Sequence, residues 1–314
     1  MRLLGIVSLL VAATLAHAQS TGRMIVPYPP GGALDAMARV MAERLADATG
    51  RRFVVENRTG AAGAIGSASL KGGPTDGSLL LFAPDSNISV YPSMFAKPAY
   101  VPLVDFVAVA PTGDYRITLA VHPSVPANDV NSFVAWTKAQ AQPAGYGTAG
   151  AGTNLHFYGA LFAHVSGANM IHVPYKGTGP ALVDLVAGHI PATVLPMGAL
   201  VPHVRGGRVR ILAQTGENRS GTLPDVPSFK EAGYPALAVS GWYGIFAPAA
   251  TSADIVERYN DVIVKAQRAP EVRERMRGFE LEPREMSAPE FQAFVRGDTE
   301  RWGPIIKASG FTPE

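Results

Sequence analysis

The stretch PYPPGGALDAMARVMAERLADATG, residues 27–50, decides the reading of the fold. Two glycines follow two prolines, and then Leu34, Met37, Met41, Leu45 and Ala48 recur at helical spacing until Gly50 stops the run. A helix that opens on glycine turns unpaired N–H groups and the positive end of its dipole toward whatever lies in front. Just upstream, Met24–Pro27 reads as a strand. Phe53–Glu56 reads as a second strand, and NRTGAAGAIGSASLKGG (57–73) as a glycine-rich turn opening a short helix of small residues. GSLLLFAP (77–84) is an uninterrupted apolar run of the kind a parallel sheet buries on both faces. This β-α-β-α-β order predicts an α/β sheet with right-handed crossovers.

The pattern then repeats with new material. RITLAVHPS (116–124) reads as a strand, Phe133–Gln140 as a helix closed by Pro143, and AGYGTAG (144–150) as a strand and turn. Thr153–Val165 reads as a helix, IHVPYKG (171–177) as a strand and turn, and Pro180–Ala187 as a helix ended by Gly188. RVRILAQT (208–215) and GWYGIFAP (241–248) read as strands. Ser252–Arg268, Glu271–Arg277 and Ser287–Lys307 read as helices, the last with Ser287 and Glu290 at capping-box spacing. No tandem repeat or low-complexity linker separates the two sets, so they are expected side by side, joined by strands that cross near 116–124 and 236–244. Ligands in such folds sit in the crevice at the carboxyl ends of strands.

The 314 residues are 47% hydrophobic and 17% charged, with net charge +2, which fits a globular core and gives no footprint for nucleic acid. Arg2, the apolar run Leu3–Leu15 and the small residues of Ala16-His17-Ala18 form a signal-peptide pattern with cleavage after Ala18. The absence of cysteine excludes disulfides, a thiol nucleophile, a cysteine-based zinc site and a lipidated cysteine. The chain is therefore expected to be exported, either kept in a bacterial periplasm or secreted.

Three helix starts share one chemistry: Gly31-Gly32; GTAGAGTN (147–154), with Thr153 as cap; and YKGTGPAL (175–182), with Thr178 or Gly179 as cap and Pro180 at the first helical position. A carboxylate in front of such an end needs no lysine, and two ends facing across a crevice suit a ligand with two carboxylates. Gly-rich turns are common in α/β proteins, so no single one is decisive. Gly145–Gly150 fits G-x-G-x-x-G, but the strand contains the motif and no acid follows about 20 residues on, so a dinucleotide is rejected. No G-x-S-x-G elbow and no metal-spaced histidine pair occurs, so neither catalytic residues nor cofactor nor metal is expected. His156 either lines the crevice or caps and packs. Asp35 either complements the helix dipole or shapes the pocket by bonding loop N–H groups. Tyr28, Tyr175 and Trp242 could pack on a ligand or in the core.

IVPYPPGGALD (25–35), VVENRTGAAGAIG (54–66), YGTAGAGTNLH (146–156), HVPYKGTGPAL (172–182), LPDVPSFKEAG (223–233) and GWYGIFAP (241–248) occur in order. Together, over nearly the whole mature chain, they resemble the substrate-binding receptors of tripartite tricarboxylate transporters, the Bug family. The resemblance implies a two-lobed Venus-flytrap fold, type II-like with two crossover strands. It implies no catalysis, a small carboxylate ligand, and delivery to a membrane permease. Lobe 1 would comprise 19–119 and 241–314, and lobe 2 would comprise 120–240. Carried over by motif, one wall would hold Tyr28, Gly31, Gly32, Leu34 and Asp35. The other would hold Thr148, Gly152 and Thr153, with Ser86, Lys176 and Gly177 nearby. The chain departs from the family at Leu34, at Thr148, and in IPATVLPMG (190–198), where Pro191 and Leu195 stand in place of usual acids. Losing an acid that could hold an ammonium argues against an amino acid and, with Leu34, for a longer aliphatic or an aromatic carboxylate. The expected protein is a monomer. A receptor feeding a sensor kinase, a binding protein for a neutral solute and a secreted hydrolase are the alternatives.

Overall fold

The computed structural model describes residues 21–309 and 311. The signal-peptide reading and its cleavage site lie outside the described residues.

The first half opens with β1 (Gly22–Val26), α1 (Ala33–Thr49), β2 (Phe53–Asn57), α2 (Ala64–Ala68), β3 (Leu79–Pro84), α3 (Pro102–Asp105) and β4 (Phe106–Tyr115). The second half holds β5 (Ile117–Val121), α4 (Val130–Lys138), β6 (Ala144–Thr148), α5 (Asn154–Ser166), β7 (Met170–Pro174), α6 (Thr178–Val186), β8 (Ala192–Pro196), α7 (Met197–Arg205) and β9 (Arg210–Gln214). The chain then returns through β10 (Gly241–Pro248), α8 (Ala253–Arg268), α9 (Pro270–Gly278), β11 (Leu281–Glu282) and α10 (Ala288–Ala308).

Two mixed sheets result, in the orders β11-β4-β10-β3-β1-β2 and β7-β6-β8-β5-β9. β3, β1 and β2 run parallel, as do β7, β6 and β8, whereas β10 and β5 run antiparallel to their neighbours. All six residues of β3 are buried, as its unbroken apolar run requires of a central strand. α1 buries Leu34, Met37, Met41 and Leu45 on one face and stops at Gly50, whose φ of 72° glycine adopts without a Cβ penalty. α4 and α10 both begin with a capping box, Asp129 with Ser132 and Ser287 with Glu290.

The chain changes sheet at Arg116, between β4 and β5. This arginine is buried, and its guanidinium donates to the carbonyls of Thr215 (2.8 Å) and Asn218 (2.5 Å), on the return connection, while pairing with Glu282 of β11. It thus ties both connections between the sheets at one point. α10 reaches across to α5, with Trp302 edge-on to Tyr158 at 5.5 Å. The carboxyl ends of β1, β3, β6, β7 and β8 lead into the loops that line one crevice, as the sheet topology requires.

Candidate functional site

The loop between β1 and α1 is held from below. Gly31 adopts φ 96°, and its N–H donates to Asp35 Oδ2 at 3.1 Å. Asp35 also receives Arg39 on both oxygens (3.2 and 3.0 Å) and Asn57 Nδ2 (3.0 Å). Burial would raise its pKa, but these donors outweigh it and hold the carboxyl below the usual range. Asp35 is therefore a bracing residue behind the loop, with its charge paired to Arg39, and it does not line the crevice. Tyr28 donates to the carbonyl of Ala62 at 2.9 Å. That carbonyl is presented by two consecutive left-handed alanines, Ala61 (φ 45°) and Ala62 (φ 50°), a conformation that L-residues rarely adopt.

Two helices end openly at the crevice. Gly32 caps α1 with extended backbone and no side-chain bond, and Gly177, at a positive φ of 108°, caps α6 also without a side-chain bond. The first-turn N–H groups of both helices have no carbonyl one turn back to bond. The third start differs from the sequence expectation. Thr153 does cap α5, its Oγ1 accepting the His156 N–H at 3.3 Å, and Asn154 Oδ1 takes the Leu155 N–H at 2.8 Å. The α5 terminus is thereby closed by its own side chains. The cap of α6 is also one residue earlier than the nearer of the two expected candidates, which puts Pro180 at the third helical position.

A cavity of about 350 Å³ lies between these ends. Tyr28, Gly31, Gly32, Leu34 and Ser86 line it from the first half, and Thr153, Lys176 and Gly177 from the second. Among the described residues that line it, Lys176 carries the only charge and none is acidic. Its body is apolar, built from Pro30, Leu34, Leu155, Pro196, Phe279 and Leu281. A second cleft of about 790 Å³ adjoins it across Tyr28, Ala149 and Lys176, and Gly152 and Tyr175 lie there instead.

Thr148 and Leu195 are fully buried and do not line the cavity. The Thr148 hydroxyl bonds the Gly150 carbonyl and His172 Nε2 (2.7 Å), so it braces the loop rather than facing a ligand. Leu195 lies mid-strand opposite Thr118, and its neighbour Pro196 forms the wall. The part of the sequence argument against an amino acid that rests on Leu195 therefore fails on geometry. Trp242 is core too, donating from Nε1 to Asp298 at 2.9 Å. His156 accepts the Gly152 N–H on Nδ1 (3.2 Å) and stacks on His172 with ring centroids 3.9 Å apart. Burial lowers these two histidines to about 4 and about 3, so both are neutral at physiological pH.

Sequence reasoning missed Tyr115, Asn154 and Tyr243, which line the deep end. Behind them lies Asp85, fully buried, receiving Tyr115 Oη at 2.8 Å and Asn154 Nδ2 at 3.0 Å. Burial first, and then the charge of Asp298, raises Asp85 to about 8 despite those donors. Asp85 is thus biased toward its protonated form, and the charge of Asp35 is paired with Arg39.

The pattern of the tripartite tricarboxylate transporter family receptor matches residues 37–311. The chain belongs to that family. The receptor is 33% identical over 289 residues to Protein BugT of Bordetella pertussis, covering 92% of this chain and 89% of that one. Among solved structures, it is similar to R. palustris Rpa4515 with adipate, at TM-score 0.87 and 28% identity over 94% of this chain and 98% of that one. It is also similar to MatC (Rpa3494) from Rhodopseudomonas palustris with bound malate, at TM-score 0.84 and 27% identity over 91% of this chain and 98% of that one. Its two-sheet α/β architecture is the two-lobed periplasmic-binding-protein fold. The family is one of binding proteins rather than enzymes. Among the described residues no group of three or more His, Cys, Asp or Glu could hold a metal, and no described helix is long and apolar enough to cross a membrane.

Proposed function

We propose that this receptor captures a small organic carboxylate, a dicarboxylate or an aromatic acid in preference to an amino acid, and passes it to a tripartite tricarboxylate-type membrane permease. The observation that carries this is the cavity lining: two helix N-termini without side-chain caps, one lysine and no acid, around an apolar body. Adipate with Rpa4515 and malate with MatC support the carboxylate class. The apolar walls favour a ligand whose middle is hydrocarbon, and an ammonium group would find no carboxylate to pair with. The ligand-binding set is Tyr28, Gly31, Gly32, Leu34, Ser86, Thr153, Lys176 and Gly177. The lobes are taken as 19–119 with 241–314, and 120–240. The monomer is exported to the periplasm, with its signal peptide removed after Ala18, and the lobes close because the ligand touches both walls.

The test is a thermal-shift screen of the purified mature protein across mono-, di- and tricarboxylates and amino acids. A ligand stabilises by mass action, about 2.7 kcal/mol at a hundredfold excess over Kd. Concentration-dependent shifts with dicarboxylates or aromatic acids are expected. Shifts with amino acids alone would overturn the ligand class.

A further inference from the structure

We propose that the hydroxyl of Tyr243 is a ligand contact that sets specificity, donating a hydrogen bond to an oxygen of the bound carboxylate at the deep end of the cavity; this rests on the carboxylate reading above.

Tyr243 lies on β10, opposite Pro84 of β3, and lines the cavity beside Ser86. Its ring is held on two sides, stacked on Tyr115 (centroids 4.6 Å apart) and packed against Phe82 (6.2 Å). The residue is 94% removed from solvent, with a relative exposure of 6%. A buried phenol nearly always has a partner for its O–H. The neighbouring hydroxyls do: Tyr115 donates to Asp85, and Tyr28 to the Ala62 carbonyl. Among the described residues no donor or acceptor bonds the Tyr243 hydroxyl. Nor is the hydroxyl among the fully enclosed polar atoms that lack a partner, so it keeps access to open space. The space this residue lines is the cavity.

Strand alternation makes this placement specific. Trp242, one residue earlier, faces the opposite side of the sheet and satisfies its N–H on Asp298 within the core. Only its neighbour can present a polar group to the crevice. Burial pushes the Tyr243 hydroxyl up from its ordinary pKa, so it is protonated at neutral pH. A protonated phenol can donate as well as accept, so a ligand oxygen can serve as its acceptor. Among the described residues none of the acceptors that line the cavity bonds this hydroxyl, so a carboxylate oxygen of the ligand is the acceptor proposed for it.

The experiment compares the mature protein with Tyr243→Phe, which keeps the ring and its stacking. Adipate and malate are titrated into each by calorimetry, and ligand-free thermal unfolding is recorded. The expected result is an unchanged ligand-free midpoint and an affinity for the better probe that falls about ten- to a hundredfold, as for a hydrogen bond to a charged group. If the parent protein binds a probe and the variant binds it within about threefold, the assignment is overturned while the carboxylate reading stands. If the parent binds neither probe nor any other carboxylate in the thermal screen, both fall together.

Discussion

Replacing Gly32 tests whether the open end of α1 holds the anion. Gly32 has φ −88° and ψ 174°, a conformation any residue adopts, and a Cβ there meets nothing within 4 Å. Gly32→Asn and Gly32→Asp should both fold. Each supplies a better cap than glycine, by a few tenths of a kcal/mol, and the aspartate adds up to about 1 kcal/mol from the helix dipole. Ligand-free unfolding midpoints should therefore hold or rise by roughly 1–4 °C. Binding should move the other way. The new side chain takes first-turn N–H groups that a ligand carboxylate would use, and losing such a bond to a charged group costs about 1.5–3 kcal/mol. Gly32→Asp adds like-charge repulsion, about 4 kcal/mol at 4 Å in an effective dielectric of 20, so its loss should exceed that of Gly32→Asn by on the order of a thousandfold. Calorimetry with adipate and differential scanning of the ligand-free proteins give both quantities. Equal losses for the two variants would show that bulk, not charge, matters there. Wild-type affinity in Gly32→Asp would remove the α1 terminus from the site.

Asp85 gives a pH prediction. Its folded pKa of about 8 lies above its unfolded value near 4, so the folded state binds the proton more tightly. This group favours the folded state most below about pH 4, and that advantage is lost as pH rises through the window to about 8. Asp85→Asn cannot titrate, so its unfolding midpoint should fall less than that of the parent between pH 5 and 8.5; parallel profiles would refute the buried-acid reading. Leu195→Asp should not produce an amino-acid receptor. It places an acid at a fully buried position in β8 and should cost several kcal/mol in chemical denaturation, whereas a folded variant that newly binds glutamate would show that the position reaches the ligand after all.

Elements with one dominant signal were readable from sequence. β3 announced itself by its apolar run and α1 by its 3.6-residue period and terminal glycine. α10 could be placed from its capping box. β4 was missed because Pro111 and Gly113 interrupt FVAVAPTGDY, and its pairing with β10 absorbs two register shifts. β8 and α7 were missed because a five-residue strand between prolines passes directly into a helix carrying Gly198 and Pro202. At the site, backbone-determined features such as the Gly32 cap were visible in the residues themselves. Side-chain direction was not. Whether Leu195 or Pro196 faces the crevice, or Trp242 or Tyr243, depends on the strand register that tertiary pairing sets. Asp85 and Asn154 were invisible for a related reason, since they lie 69 positions apart and meet only across the two halves.

On the reading proposed above, the crevice favours an anion with almost no fixed positive charge. A lysine-lined pocket would bind any acid and would hold counter-ions when unliganded. On that reading the favourable potential comes from peptide dipoles that are rigid parts of α1 and α6, so little reorganisation is needed on binding. Asp35 has its charge paired with Arg39, and burial biases Asp85 toward its protonated form. The two open helix ends pack on different sheets, and Arg116 fastens both connections between those sheets. A ligand that reaches one helix end gains one set of amides in either arrangement of the halves and cannot shift their balance. One that reaches both gains the second set only when they approach, so a solute with an acceptor group at each end and an apolar middle is the kind that couples binding to closure.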